Sequence, residues 1–345
     1  MRQLDSILRI GICGGGIGGL SLARCLLHLF PAAATVGSPH RRRMVEIQVF
    51  EQSAELLPTA GGPLTLSAGV QVMRALGFGN RLLERSRPLL KSLLRTGSQV
   101  SGSNLGDLFG SLSHDSLIGS NPFLITMRPV LLELLAENLP VGILELGRRV
   151  VGLERHRDNP PSMQLRFSDG SISEPFDVVV GADGIKSVVR SVIHGKPVKP
   201  TYFGAASFGG ITRFSSAQEF EACVPAEERY ALVQYISQRA SGNYGIILPC
   251  ANNEVAWGFI ERTASEHAGD WQHSGSRSHA EDILREWGDN SPLMSLLKRT
   301  DQRDLRHTGL YQAERLDQPW HGDGAVLIGD SAHAMVRIAK TCCDV

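Results

Sequence analysis

An α/β fold in two interleaved domains is what this 345-residue sequence predicts, on three observations. A short apolar strand near the start runs into a glycine-rich turn and then a helix. Continuous apolar runs in the middle and near the end stop at an Asp-Gly and a Gly-Asp pair. Between those two runs lie strand-like segments rich in aromatic and β-branched residues.

The length suits two domains, and the apolar content of 42% is enough for a sizeable core. Lys+Arg and Asp+Glu are equal at 35 each, so the formal charge is zero. A nucleic-acid partner would call for a basic field, and the densest basic run, His40-Arg41-Arg42-Arg43, reads as a solvated loop. No segment is apolar for the roughly 20 residues that a membrane helix needs. No signal-peptide pattern precedes the first strand, which places the chain in the cytoplasm or an organelle lumen. None of the six cysteines forms a C-x-x-C, and no Cys/His cluster has zinc spacing. Buried thiols are expected, with no disulfide framework and no metal site.

The first element is "ILRIGIC", of strand length. It enters Gly14-Gly15-Gly16-Ile17-Gly18-Gly19, which fits G-x-G-x-x-G at Gly14, Gly16 and Gly19. "LSLARCLLHLF" follows with helical spacing of Leu20, Ala23, Leu26 and Leu27. Gly14 permits the tight turn, Gly16 lets a pyrophosphate approach the backbone, and Gly19 lets helix and strand pack closely. The helix N-terminus presents free N–H groups to the phosphates. This is a Rossmann-like dinucleotide-binding start. The next strand, "VEIQVF", ends at Glu51, which can bond both ribose hydroxyls and disfavours a 2′-phosphate by charge. Glu51 lies farther along than usual, and "FPAAATVGSPHRRR" reads as the inserted loop responsible.

"TMRPVLLELLAENLP" is an amphipathic helix with Pro129 in its first turn and Val130, Leu131, Leu134 and Leu135 on its buried face. Arg128 is at its mouth, where a guanidinium reaches a phosphate. "FDVVVGADGIKSVVR" is a continuous apolar strand, the mark of a central, doubly covered position. It ends in Ala182-Asp183-Gly184 and leads to a helix start with Ser187 and Arg190. "GAVLIGDSAHA" is a second such strand, with Gly329-Asp330 at its end. His333 after it reads as helix packing.

In the second half, "TYFGAASFGGITRF", "RYALVQYIS", "NYGIILP" and "EVAWGFIER" read as strands, with "CANNEVAW" as a hairpin turn. "HAEDILREWGDNSPLMSLLKRT" is helical, with Ile283, Leu284 and Trp287 as apolar positions. "LLKSLLRTGSQ" in the first half reads as two further strands. A mixed sheet backed by helices is expected.

The order of glycine fingerprint, helix-borne Arg, Asp-Gly and late Gly-Asp resembles that of the FAD-dependent group A aromatic-ring monooxygenases, which include para-hydroxybenzoate and salicylate hydroxylases. The resemblance implies an α/β architecture with a Rossmann-like FAD-binding domain over 1–194, of which 75–110 contributes in part to the substrate domain. It implies an interleaved α+β substrate domain on a mixed β-sheet over 195–318, and a return to the FAD-binding domain over 319–345. Gly14, Gly16, Gly19 and Glu51 would hold the ADP half of FAD. Gly61 and Gly62, in "AGGPLTL", stand where the family usually reads Gly-Ala-Gly and passes near the flavin. Arg128 would lie along the pyrophosphate and ribityl chain. Asp183, Gly184 and Arg190 would form the Asp-Gly motif, and Asp330 would bond the ribityl hydroxyls. The family's scheme is reduction of FAD by a transient NAD(P)H, reaction with O2, and oxygen transfer from a flavin C4a-hydroperoxide to a small organic substrate. Arg190 and Tyr235 are the expected polar groups of the active site, with Tyr202, Tyr244, His307 and Tyr311 as rivals.

Two alternatives stay open. One is another flavin oxidoreductase on the same scaffold. The other follows from a departure after Asp330, where the family has a proline and a Gly-x-Gly loop and this chain reads "AMVRIAKTCCDV". That difference implies a truncated site, weak FAD binding, and a chain that is catalytically dead.

Overall fold

The computed structural model describes residues 7–30, 44–56, 62–96, 99–105, 123–156, 162–236, 244–263, 277–287, 291–314 and 319–336. The inserted loop at 31–43, Gly61, and the last residues from 337 lie outside this set. The chain forms two units. The first comprises Met1–Thr59, Leu131–Thr201 and Tyr311–Val336, and the second Ala60–Val130, Tyr202–Leu310 and Arg337–Val345. The sequence reading places its transitions at 194/195 and 318/319, with a shorter contribution at 75–110.

The first leg holds β1 (Leu8–Cys13), α1 (Ile17–Leu29) and β2 (Val45–Phe50). The second unit then takes β3 (Pro63–Leu66), α2 (Ala68–Ala75), α3 (Gly79–Glu84), β4 (Arg87–Pro88), β5 (Lys91–Thr96), β6 (Gln99–Asn104) and β7 (Leu124–Met127). Helix α4 (Arg128–Ala136) leads back to the first unit, where β8 (Leu144–Glu145), β9 (Val150–Arg155), β10 (Met163–Phe167), β11 (Val178–Gly181) and α5 (Val188–Ile193) follow. The second unit resumes with β12 (Thr201–Arg213), α6 (Ala217–Cys223), β13 (Ala231–Ile236), β14 (Tyr244–Pro249), β15 (Glu254–Arg262), α7 (Arg277–Trp287), α8 (Pro292–Arg299) and β16 (Arg306–Gln312). The first unit closes with β17 (His321–Gly322), β18 (Ala325–Leu327) and α9 (Asp330–His333).

The sheet of the first unit has the order β17-β18-β11-β1-β2-β8. Strands β1, β2, β8, β11 and β18 are mutually parallel. From β1 the chain goes first to β2 and β8 on one side, and later to β11 and β18 on the other. The strand order therefore reverses between β1 and β11, and a crevice opens at the carboxyl ends of strands at such a switch. One sheet face packs the β9–β10 hairpin and α5, with Phe50, Leu165, Phe167, Phe176 and Val189 in one core cluster. On α1, Leu20 and Ala23 are buried as expected, while Leu26 and Leu27 are half-buried. The buried face of α4 is Leu131, Leu132, Leu134 and Leu135; Val130 is half-buried where burial was expected. Each fully buried leucine contributes about 1.5–3 kcal/mol.

The sheet of the second unit has the order β16-β12-β15-β14-β13-β5-β6. Its β13–β5 pair is parallel, while β12–β15, β13–β14, β14–β15 and β5–β6 are antiparallel. The β14–β15 connection is a tight turn with Asn252 and Asn253 both at φ 56, where asparagine tolerates the left-handed region. Helices α7 and α8 cover one face. Phe208, Val233, Ile247, Trp257 and Phe259 point into that core against Leu284, Leu293 and Leu297. Within it, the Trp257 Nε1–H donates to Thr300 Oγ1 at 2.9 Å, and Thr212 and Thr300 hydroxyls share a 2.7 Å bond. Residues one position out of phase form a second cluster on the other face, with Leu89, Ile125, Leu248 and Ala256.

Of the four described cysteines none is in a disulfide. Cys13 and Cys250 are buried as expected, but Cys25 is half-buried and Cys223 exposed. No helix among the described residues is long and apolar enough to cross a membrane.

Candidate cofactor site

Three turns meet at the carboxyl edge of the first unit's sheet. Cys13 is opposite Gly181, and Gly181 opposite Leu327, so β1, β11 and β18 end in step. The ladder continues into the turns: Ala182 N–H donates to Cys13 O at 2.8 Å, Ile328 N–H to Gly181 O at 2.9 Å, and Gly14 N–H to Phe50 O at 2.8 Å.

The glycines of the first turn have separate physical roles. Gly14 sits at φ +111, and a Cβ there would meet the Ala182 carbonyl oxygen at 2.3 Å. A Cβ on Gly19 would stand 2.0 Å from Gly14 O, so only glycine lets α1 approach the strand end. Gly16 has an ordinary extended backbone, and a Cβ on it would meet nothing within 4 Å. Its requirement for glycine is thus not met from within the protein. No side chain caps α1. An open cradle at Gly16 beside an uncapped helix N-terminus fits a pyrophosphate.

Glu51 is tied to this turn. Its carboxylate accepts from Gly15 N–H at 2.7 Å and Ser53 N–H at 2.9 Å. Those bonds hold the acid beside the glycine loop. Each carboxylate oxygen has a second lone pair for a ribose hydroxyl.

Asp183 is used differently. Its oxygens accept from Ser187 Oγ at 2.6 Å, Val188 N–H at 2.7 Å and Val189 N–H at 3.3 Å, which caps α5. Gly184, at φ +77, turns its N–H to Ser331 Oγ at 2.9 Å. Arg190 is 1% exposed. It donates to Ser331 O at 3.1 Å and Ile185 O at 2.5 Å, and burial lowers its pKa against the opposing pull of Asp183. Burial, with the Asp183 charge adding to it, pushes the Cys13 thiol well up, so that it stays protonated.

Gly329 takes φ +58 before α9. Asp330 is exposed at the same edge, and its carboxylate makes no hydrogen bond or ion pair among the described residues. His333 is exposed and lies against the Trp320 ring, centroids 5.2 Å apart.

Gly14, Gly16, Gly19, Glu51, Asp183, Gly184, Arg190 and Asp330 thus share one unit, and their turns share one sheet edge. Gly62 and Arg128 belong to the second unit, where Arg128 is exposed and its N–H faces Gly62 O at 3.4 Å. Gly61 is outside the described residues.

In the second unit, Tyr235 shares a strand face with Ala231 and Val233 and packs into the helix-covered core. Its hydroxyl is buried without a partner among the described residues, and burial raises its pKa strongly. That placement takes it off the opposite face, because side chains alternate along a strand. The opposite face carries a polar row that sequence reasoning did not single out, apart from Tyr244. Gln234 Nε2 donates to Ser92 Oγ at 3.0 Å, and Tyr244 Oη donates to Gln234 Oε1 at 3.2 Å. All three are half-buried. Of the other rivals, Tyr202 donates to Thr263 O at 3.0 Å, and His307 lies 3.4 Å from Glu261.

A parallel sheet with a glycine turn at its switch point, joined to a mixed-sheet unit, defines a dinucleotide-binding α/β protein. No protein-family model matches the chain. A 3-amino-4-hydroxybenzoate 2-monooxygenase from Streptomyces cremeus is 30% identical over 222 residues, which is 63% of this chain and 50% of that protein. A salicylate hydroxylase from Pseudomonas putida is 27% identical over 349 residues, 95% of this chain and 72% of that protein. The structure of Klebsiella pneumoniae HpxO complexed with FAD and uric acid superposes with a TM-score of 0.73 at 19% identity, over 95% of this chain and 74% of that one. The chain therefore spans about half the length of the first relative and nearly three quarters of the other two. Its fold is that of the FAD-binding monooxygenases, and its relatives are named as monooxygenases and hydroxylases, some of them FAD-dependent.

Proposed function

We propose that this chain binds FAD at the carboxyl edge of its parallel sheet and, with NAD(P)H and O2, hydroxylates a small ring that already carries a hydroxyl group. The observation that carries this reading is the open cradle at Gly16, one strand away from the Asp183 turn and two from Asp330. The names of the relatives, two of them hydroxylases of hydroxybenzoates, support the substrate class.

Gly16 and the first turn of α1 hold the pyrophosphate by N–H donation. Glu51 accepts from the ribose hydroxyls, and its charge disfavours a 2′-phosphate there. Asp330 is the acceptor for further cofactor hydroxyls. Asp183 and Arg190 are positioning residues: they fix the α5 turn and the Ser331 backbone, and so aim Gly184 and Asp330. When bound, FAD supplies the redox chemistry and the reaction with O2. Ser92, Gln234 and Tyr244 are the polar groups that orient the substrate, a role first assigned to Tyr235.

The test is reconstitution of the purified chain with FAD, anaerobic addition of NADPH, and then oxygen uptake with and without a hydroxybenzoate. Flavin bleaching by NADPH and substrate-stimulated oxygen uptake are expected. Retention of no flavin at micromolar FAD would sink the reading. Flavin reduction without any substrate-stimulated oxygen uptake would favour another flavin oxidoreductase.

A further inference from the structure

A group of metal-ligating side chains converges in the second unit from three separate elements. Glu261 is near the end of β15, His279 in the first turn of α7, and His307 on β16. One ligand atom from each lies within 4.8 Å of the others. The Glu261 Oε2 to His279 Nε2 separation is 3.0 Å, and that to His307 Nε2 is 3.4 Å. Glu261 follows Val255, Trp257 and Phe259 on the helix-covered side of its strand, the side opposite Gln234 and Tyr244.

We propose that Glu261, His279 and His307 bind a divalent transition-metal ion that pins α7 to β15 and β16. Two imidazoles and one carboxylate suit Zn2+ and its neighbours, whereas Mg2+ and Ca2+ take all-oxygen sets. In a tetrahedral zinc site, bond lengths of about 2.0–2.1 Å put ligand atoms about 3.3 Å apart. Two separations here already match that spacing. The three ligand atoms all lie within 4.8 Å of one another, and a fourth ligand of a tetrahedral ion would be water. His307 is held in place by its ring packing against Phe208, centroids 5.5 Å apart, and its side chain is 15% exposed. His279 is 42% exposed and gives the ion an entry route. Sequence spacing conceals the set, because its members come from two strands and a helix.

The experiment is calorimetric titration of the chelator-stripped, FAD-saturated full chain with Zn2+ alone, together with thermal unfolding. One Zn2+ per chain and a higher unfolding midpoint are expected. His279→Ala and Glu261→Gln each weaken Zn2+ binding by at least about tenfold. His279→Ala removes an exposed side chain, and Glu261→Gln keeps a hydrogen-bond partner for His279, so at least one variant retains the fold, as circular dichroism checks. Absence of saturable binding overturns the proposal. So does binding that survives both substitutions, or that disappears when the exposed Cys223 thiol is alkylated, since the ion then sits elsewhere.

Discussion

The guanidinium of Arg190 donates to the main-chain oxygen of Ser331 at 3.1 Å, across 141 positions of sequence. Together with the Gly184 N–H bond to Ser331 Oγ, this ties the Asp-Gly turn after β11 to the Gly-Asp turn after β18. Arg190→Met removes the forked donor and leaves two carbonyls short of a partner in a buried place. An unmade buried bond costs about 1–3 kcal/mol. Urea unfolding is expected to shift by that amount, and FAD affinity to fall because Asp330 loses its support. Normal stability with normal FAD affinity would remove the positioning role.

The glycine turn separates binding from folding. Gly16→Ala places its methyl in open space, so thermal stability is unchanged while FAD binding weakens by about tenfold or more. Gly14→Ala forces a left-handed residue against Ala182 O and costs about 1–3 kcal/mol or more of stability. Differential scanning fluorimetry with and without FAD distinguishes the two. Equal loss of stability in both variants would mean that Gly16 serves the fold alone.

The two tyrosines of the second sheet are predicted to behave oppositely. Tyr244→Phe removes the donor to Gln234 on the polar row and raises KM for the aromatic substrate several-fold, with stability down by about 0.5–1.5 kcal/mol. Tyr235→Phe deletes a buried hydroxyl that has no partner among the described residues, so stability is unchanged or rises by up to about 1 kcal/mol. Steady-state kinetics and thermal melts check both. If Tyr235→Phe is instead the variant that changes KM, the substrate side of the sheet is the other one.

Glu228 gives the second unit a pH dependence. It is 4% exposed, and its ion pair with Arg95 offsets only part of the burial that raises its pKa above the ordinary 4.5. Above 4.5 the unfolded chain gives up this proton before the folded chain does. Its stabilising contribution is therefore complete below 4.5 and is lost as pH rises through the folded value. Glu228→Gln flattens that part of the stability profile, measured by urea unfolding as pH is raised from 4. A profile unchanged by the substitution would assign the slope to other carboxylates.

Much of the fold was legible because its signals are local. Strand, turn and helix at Ile7–Leu29 follow from apolar runs and from Gly14 and Gly19, whose conformation or contacts demand glycine. The β14–β15 hairpin was legible from Cys250-Ala251-Asn252-Asn253, and β5 and β6 from Leu89 to Gln99. The candidate site was legible as motifs but not as roles. Asp183 reads as a ligand group, yet its carboxylate caps α5. Arg190 reads as an active-site group, yet it is buried and holds carbonyls. Tyr235 faces the helix-covered core because strand alternation, fixed by pairing with β5 and β14, turned it there.

The sequence by itself determined the elements, the glycine turn, and the acids that end β2, β11 and β18, since backbone sterics and strand length act within a few residues. The tertiary structure decided which of these groups meet. Pairing of β1 with β11 and of β11 with β18 brought the turn at Gly14 and the acid at Asp330 to one edge. In the second unit, the packing of α7 with β15 and β16 gathered Glu261, His279 and His307. Such contacts depend on sheet order and on which face of a strand is buried, and these are set by the packing of the whole unit.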